Sequence, residues 1–219
     1  MKADYTHIVF VIDRSGSMAT MQQDAQEAFN DFIKDQKKVP GKATITLAQF
    51  DSEYDVVWNG KSIKKVGKYT LEPRGSTALL DAVGKTINTT GQYLSKMAEK
   101  DRPKKVIFAV LTDGQENNSK EFSTEQIKEM IEHQKEKYSW EFNFLAANQD
   151  ALTNAANIGM PTAGAMNFAA TGAGVRSAMQ CYSTSAVGYR NDSNARGINL
   201  DDLAPDTDSQ KLKETSSKA

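Results

Sequence analysis

Two short runs constrain this chain's fold more than anything else in it. Ile8–Ile12 (IVFVI) and Val106–Leu111 (VIFAVL) are continuously apolar and rich in β-branched residues. A strand with one wet face would alternate polar and apolar positions, and these do not. Each is expected to be buried on both sides, as in a parallel sheet held between helices. Each run also ends at an acid: Asp13 follows the first directly, and Asp113 follows the second after Thr112.

The segments between alternate in kind. Met21, Ala25, Ala28, Phe29, Phe32 and Ile33 recur at helical spacing, and Pro40-Gly41 ends that helix. Residues 43–50 and 54–58 read as strands joined by Asp51-Ser52-Glu53, a tight hairpin. A second helical stripe runs from Leu79 to Met97. A third follows Ser123, whose spacing to Gln126 suits a capping box. A strand over 140–146, a short helix over 151–157, a weak strand near 166–169 and a last helix over 171–190 complete the pattern. Strands alternating with amphipathic helices predict a doubly wound α/β fold with helices on both faces. Its sheet should be mainly parallel and six-stranded, and the hairpin makes one edge strand antiparallel. Residues 1–190 form one expected domain, and the polar composition from Asn191 to Ala219 predicts a flexible tail.

Composition narrows the partners. The 27 basic and 28 acidic residues leave a net charge of −1, so neither nucleic acid nor an anionic membrane surface is an expected target. No apolar run approaches the ~20 residues of a membrane span. Cys181 is the sole cysteine, which excludes an intrachain disulfide and suits a reducing compartment. The N-terminal apolar stretch ends in charge without a small-residue cleavage site, so no signal peptide is expected. A cytoplasmic domain follows as the expectation.

Ligands of open α/β sheets sit beyond the carboxyl ends of the strands. Those positions carry Asp13-Arg14-Ser15-Gly16-Ser17, Thr112-Asp113-Gly114 and Asn148-Gln149-Asp150. Two like charges at the ends of neighbouring central strands are costly to bury unless a cation lies between them. Carboxylates and hydroxyls without histidine suit a hard divalent ion, with magnesium preferred and manganese as the alternative. Asp13-x-Ser15-x-Ser17 can turn three oxygens toward one point, and Thr77, at a helix entrance, is the natural source of another.

Taken singly, these residues have plainer readings. Ser15, Ser17 and Thr77 could be helix caps, and Asp113-Gly114 a turn. Arg14 and Arg74 flank the motif as rim candidates that could steer an acidic partner, or as solvated surface. Asn148 and Asp150 are rim candidates or part of a polar loop. Other motifs fail on spacing. Gly84-Lys85-Thr86 falls within a helix, and Asp192-x-Asn194-x-Arg196 lacks the ligands of a calcium loop. An aspartyl-nucleophile phosphatase would need a second aspartate where Ser15 stands, and Ser17 has no histidine partner at a strand end. Asn117-x-Ser119 matches a glycosylation acceptor, which has meaning only in a secreted chain.

The joint set Asp13, Ser15, Ser17, Thr77 and Asp113 resembles the metal-ion-dependent adhesion site of von Willebrand factor type A domains. The resemblance spans roughly residues 5–190 and is to the stand-alone intracellular kind found in bacteria and phages. It implies that the three hydroxyls ligate magnesium and that the two aspartates act directly or through water. It also implies that an Asp or Glu of a protein partner completes the shell, and that the function is binding rather than catalysis. Two carboxylates and three neutral hydroxyls roughly balance a divalent charge, which keeps the ion electrophilic toward that incoming acid. The rival readings are a magnesium-dependent phosphoester hydrolase and a scaffold with a purely structural metal.

Overall fold

The computed structural model describes residues 2–114, 116–147 and 150–200. Six strands form one sheet: β1 (Lys2–Asp13), β2 (Lys42–Phe50), β3 (Tyr54–Ser62), β4 (Pro103–Thr112), β5 (Glu141–Ala147) and β6 (Ala165–Phe168), in the order β3-β2-β1-β4-β5-β6. All neighbours are parallel except β2 and β3. Register sets Ile8 beside Ile45 on one side and Ile107 on the other, so both apolar runs lie in the middle of the sheet.

Among the described residues five α-helices cover it: α1 (Gln22–Lys38), α2 (Leu79–Ser95), α3 (Thr124–Tyr138), α4 (Asp150–Asn157) and α5 (Gly172–Asn191). Alternate residues of β1 separate two cores. Ile8, Phe10 and Ile12 pack with the stripes of α1 and α5. Val9 and Val11 pack with residues of α2, α3 and α4. A strand that feeds two cores can spare no polar position, which is why its sequence is unbroken. The chain leaves β1 toward β2 on one side and later enters β4 on the other. The point where strand order reverses therefore lies between β1 and β4, the place where open α/β sheets form their ligand crevice.

Two boundaries differ from expectation. β1 begins at Lys2, well before Ile8, because its polar residues find partners inside the sheet. Thr44 Oγ1 lies 2.8 Å from both Tyr5 Oη and His7 Nδ1. The chain after α5 also departs from the expected tail: Ile198 and Leu200 are buried. Glu141 accepts the Ile198 N–H, and Ala163 O accepts the Leu200 N–H. Two isolated apolar residues in a polar stretch carry too little periodicity to announce this packing. Residues 201–219 lie outside the described residues.

Candidate metal centre

β1 and β4 deliver their acids to the crevice together. Asp13 ends β1 and is fully buried, while Asp113 follows β4 and is 8% exposed. Thr112 Oγ1 donates to Asp13 Oδ2 at 2.5 Å, so the two strand ends are already joined. Asp13 Oδ1 accepts the Ser15 N–H at 2.6 Å, which folds the loop back over the strand end. The Ser15 and Ser17 hydroxyls lie 3.0 Å apart, and Ser17 donates to Asp113 Oδ1 at 2.8 Å. Thr77 arrives from the loop before α2. A Cβ on Gly114 would lie 3.1 Å from Thr77 Oγ1 and 3.7 Å from Asp13 Oδ2, so Gly114 separates the two and a side chain there would crowd Thr77. Hydrogen bonds thus join Asp13 to Ser15, Ser15 to Ser17 and Ser17 to Asp113, and Thr77 stands beside this cluster across Gly114.

The plainer readings of the hydroxyls do not describe this geometry. Ser15 opens a 3-10 turn over Gly16–Met21 without a side-chain cap, and Met21 stands at the N-cap of α1. The N-cap of α2 is Ala78, not Thr77. The serines instead point their oxygens at each other and at the carboxylates.

The electrostatics of the cluster are unfavourable to two charged acids. Burial pushes the Asp13 carboxyl up to about 6, against the pull of hydrogen bonds from Thr112 and Ser15, and the Asp113 charge adds to the rise. Burial raises Asp113 as well, opposed by the Ser17 hydroxyl. A divalent cation would reverse both shifts. Among the described residues no three His, Cys, Asp or Glu side chains cluster as a metal site, so the donor set is this mixed one of two acids and three hydroxyls. Such a set fits a hard ion. Histidine is elsewhere: His7 is buried mid-sheet and His133 lies on α3.

The rim candidates fare differently. Arg14 is buried rather than presented. Its Nε lies 2.8 Å from Asp51 and its Nη2 2.7 Å from Asp55. Arg74 is half-exposed, with Nε 2.8 Å from the same Asp51 oxygen and Nη2 2.5 Å from Glu53. Both arginines thus hold the β2–β3 hairpin against the loops that carry Ser15 and Thr77. Backbone bonds assist, from Arg74 N–H to Arg14 O and from Gly16 N–H to Gly75 O. Gly75 has φ +68°, a conformation suited to glycine. Asn148 and the side chain of Asp150 lie outside the described residues.

Sequence reasoning missed Thr112, Asp51 and the segment 116–122. Thr112 was visible as a polar residue closing a buried strand. Asp51 looked like an ordinary turn acid, and only its tertiary partners distinguish it.

Comparison with known proteins agrees with the fold. The family model for the von Willebrand factor type A domain matches residues 7–199. Among solved structures, proximal thread matrix protein 1 from the mussel byssus superposes with a TM-score of 0.60 at 16% identity, covering 84% of this chain and 46% of that one. The same mussel protein with a zinc-occupied MIDAS motif gives 0.60 at 18% identity, with the same coverage. A von Willebrand factor type A protein from Catenulispora acidiphila gives 0.58 at 15% identity, covering 84% and 43%. The chain spans less than half the length of these structures. No curated protein matched. With a family match running from His7 to Asn199, the chain belongs to the von Willebrand factor type A domain family.

Proposed function

We propose that this domain is a divalent-metal-dependent protein-binding module. The observation that carries the reading is the convergence of two buried, upward-shifted carboxylates with three hydroxyls at the β1–β4 crevice. Ser15, Ser17 and Thr77 supply neutral oxygens, while Asp13 and Asp113 supply charge. When bound, a magnesium ion in this set would offer an electrophilic position to an Asp or Glu side chain of a protein partner. Manganese is the alternative ion. The mussel neighbour's zinc-occupied motif makes zinc a third to test.

The chain's own groups prepare that encounter. The Thr112 hydroxyl and Ser15 N–H fix both Asp13 oxygens, and Ser17 orients Asp113. The arginines contribute little steering, because Arg14 and Arg74 are matched locally by Asp51, Glu53 and Asp55. Recognition therefore depends on the ion. No helix among the described residues is long and apolar enough to cross a membrane, and we assign the domain to the cytoplasm on its single cysteine.

The test is affinity capture from cell lysate in magnesium and in chelator, with wild type beside the Asp13→Ala/Ser15→Ala double variant. A partner lost in chelator and lost with the variant supports metal-bridged binding. Partners retained in both contradict it and favour a structural metal.

A further inference from the structure

The segment 116–122 leaves the end of β4 and is stitched to the entrance of α2 before α3 begins. Since α2 carries no side-chain cap of its own, its first N–H groups are met from this strap. Glu116 Oε2 accepts the Leu80 N–H at 2.9 Å, and Ser119 Oγ accepts the Asp81 N–H at 3.1 Å. In return Asp81 accepts the N–H groups of Lys120, Glu121 and Phe122 at 2.9, 2.9 and 3.0 Å. The contact is close enough that a Cβ on Gly84 would lie 2.8 Å from the Phe122 ring.

Within this strap Asn117 acts on a different residue. Its Oδ1 accepts the Thr77 N–H at 3.0 Å, and its own N–H donates to Thr77 O at 3.1 Å. One residue thus fixes the peptide planes on both sides of Thr77, forty positions earlier in the chain. With those planes set, the Thr77 side chain can leave its Cα in only a few directions, one of which brings Oγ1 beside Gly114. Asn117 also lies four residues beyond Asp113, so a single short segment carries one candidate ligand and holds another.

We propose that Asn117 is a positioning residue for the metal, clamping Thr77 at a fixed distance from Asp113. The proposal rests on the metal-binding reading above. It differs from a general stabilising role because Glu116, Ser119 and Asp81 already fasten the strap to α2, whereas Asn117 grips the candidate ligand itself. The sequence Asn117-x-Ser119 then has a use unrelated to glycosylation, with both side chains turned inward to backbone N–H groups.

The test is calorimetric titration with Mg²⁺ and with Mn²⁺ of wild type, Asn117→Ala, Asn117→Ser and Ser123→Ala, each also melted in chelator. Ser123→Ala breaks the capping box of α3 and serves as the stability control. Asn117→Ala is expected to weaken ion affinity by about tenfold to a hundredfold, the range for residues that orient ligands. Asn117→Ser, with a shorter acceptor, should fall between it and wild type. Ser123→Ala should lower the melting temperature and leave affinity unchanged. Wild-type affinity in Asn117→Ala overturns the clamp and leaves the metal reading intact. Should that variant not fold, wild-type affinity in Asn117→Ser has the same force. A wild-type protein that binds neither ion overturns the metal reading and the clamp with it.

Discussion

Two pairs of aspartates are buried in this domain, and the chain treats them in opposite ways. Asp51 is 2% exposed and Asp81 7%. Burial alone would raise both. The Glu53 N–H with the Arg74 and Arg14 guanidiniums more than offset it at Asp51, and three backbone N–H groups do so at Asp81, leaving both carboxyls below their ordinary value. Asp13 and Asp113 are as little exposed but lie deeper among protein atoms, and there burial outweighs the donors, so both are raised. The donors at Asp13 are the Thr112 and Ser15 hydroxyls and the Ser15 N–H, all neutral, and the charge that perturbs it is a second carboxylate. An acid that serves the fold is answered by the fold. At Asp13 and Asp113 the fold's donors do not outweigh burial, and that upward direction is the one expected of acids that would hold a cation.

The largest test of that contrast is Asp51→Ala. It takes from Arg14, a buried cation, the buried one of its two carboxylate partners and leaves it Asp55, so it should cost about 3 kcal/mol in urea unfolding, the low end for a broken buried pair. A loss under about 1 kcal/mol would mean that Asp51 is ordinary surface chemistry and that the contrast fails.

Acid titration gives a third case, a buried base answered only by neutral groups. His7 is fully buried beside the Thr44 and Thr46 hydroxyls, and burial lowers its pKa to about 3. The unfolded chain takes up this proton below about pH 6.5 and the folded chain does not, so the stability is complete above that pH and is lost as pH falls toward 3. The loss should be about 3 kcal/mol by pH 4. In His7→Gln this part of the pH dependence of unfolding should vanish, and an unchanged acid limb would contradict the assignment.

Asp81→Ala should come next, at about 2 kcal/mol, because three strap N–H groups lose their acceptor. Chemical denaturation reads it directly. Asp13→Asn should have the opposite sign. Removing one of two like charges from the crevice should leave the chelated protein about 1 kcal/mol more stable, since an amide can still accept from Ser15 N–H and donate to Thr112. Destabilisation in chelator by Asp13→Asn would place Asp13 with Asp51 and Asp81, as a structural acid.

Much of this was open to a reader of the sequence. The two unbroken apolar runs forced a doubly covered parallel sheet, and the hairpin at Asp51-Ser52-Glu53 and the capping box at Ser123 followed from local chemistry. Four of the five candidate positions could be named because strand ends, where ligands gather, are themselves readable, and Thr77 was added from a helix entrance. What could not be read were contacts joining distant segments. Arg14 looked exposed because it follows a strand, and only the folded hairpin supplies the Asp51 and Asp55 that bury it. Asn117 gave no sign of holding Thr77, because nothing local links positions forty residues apart. Ile198 and Leu200 were hidden in polar sequence, although they reach the core.

The central claim is that Asp13, Ser15, Ser17, Thr77 and Asp113 form a single cation site. Its most direct test is equilibrium titration of the purified domain with Mn²⁺, followed by electron paramagnetic resonance and displaced by Mg²⁺, in wild type and Thr77→Val. One displaceable ion per chain in wild type, and at least tenfold weaker binding in Thr77→Val, is the predicted result. Equal binding by the two proteins, or none by wild type, would contradict it.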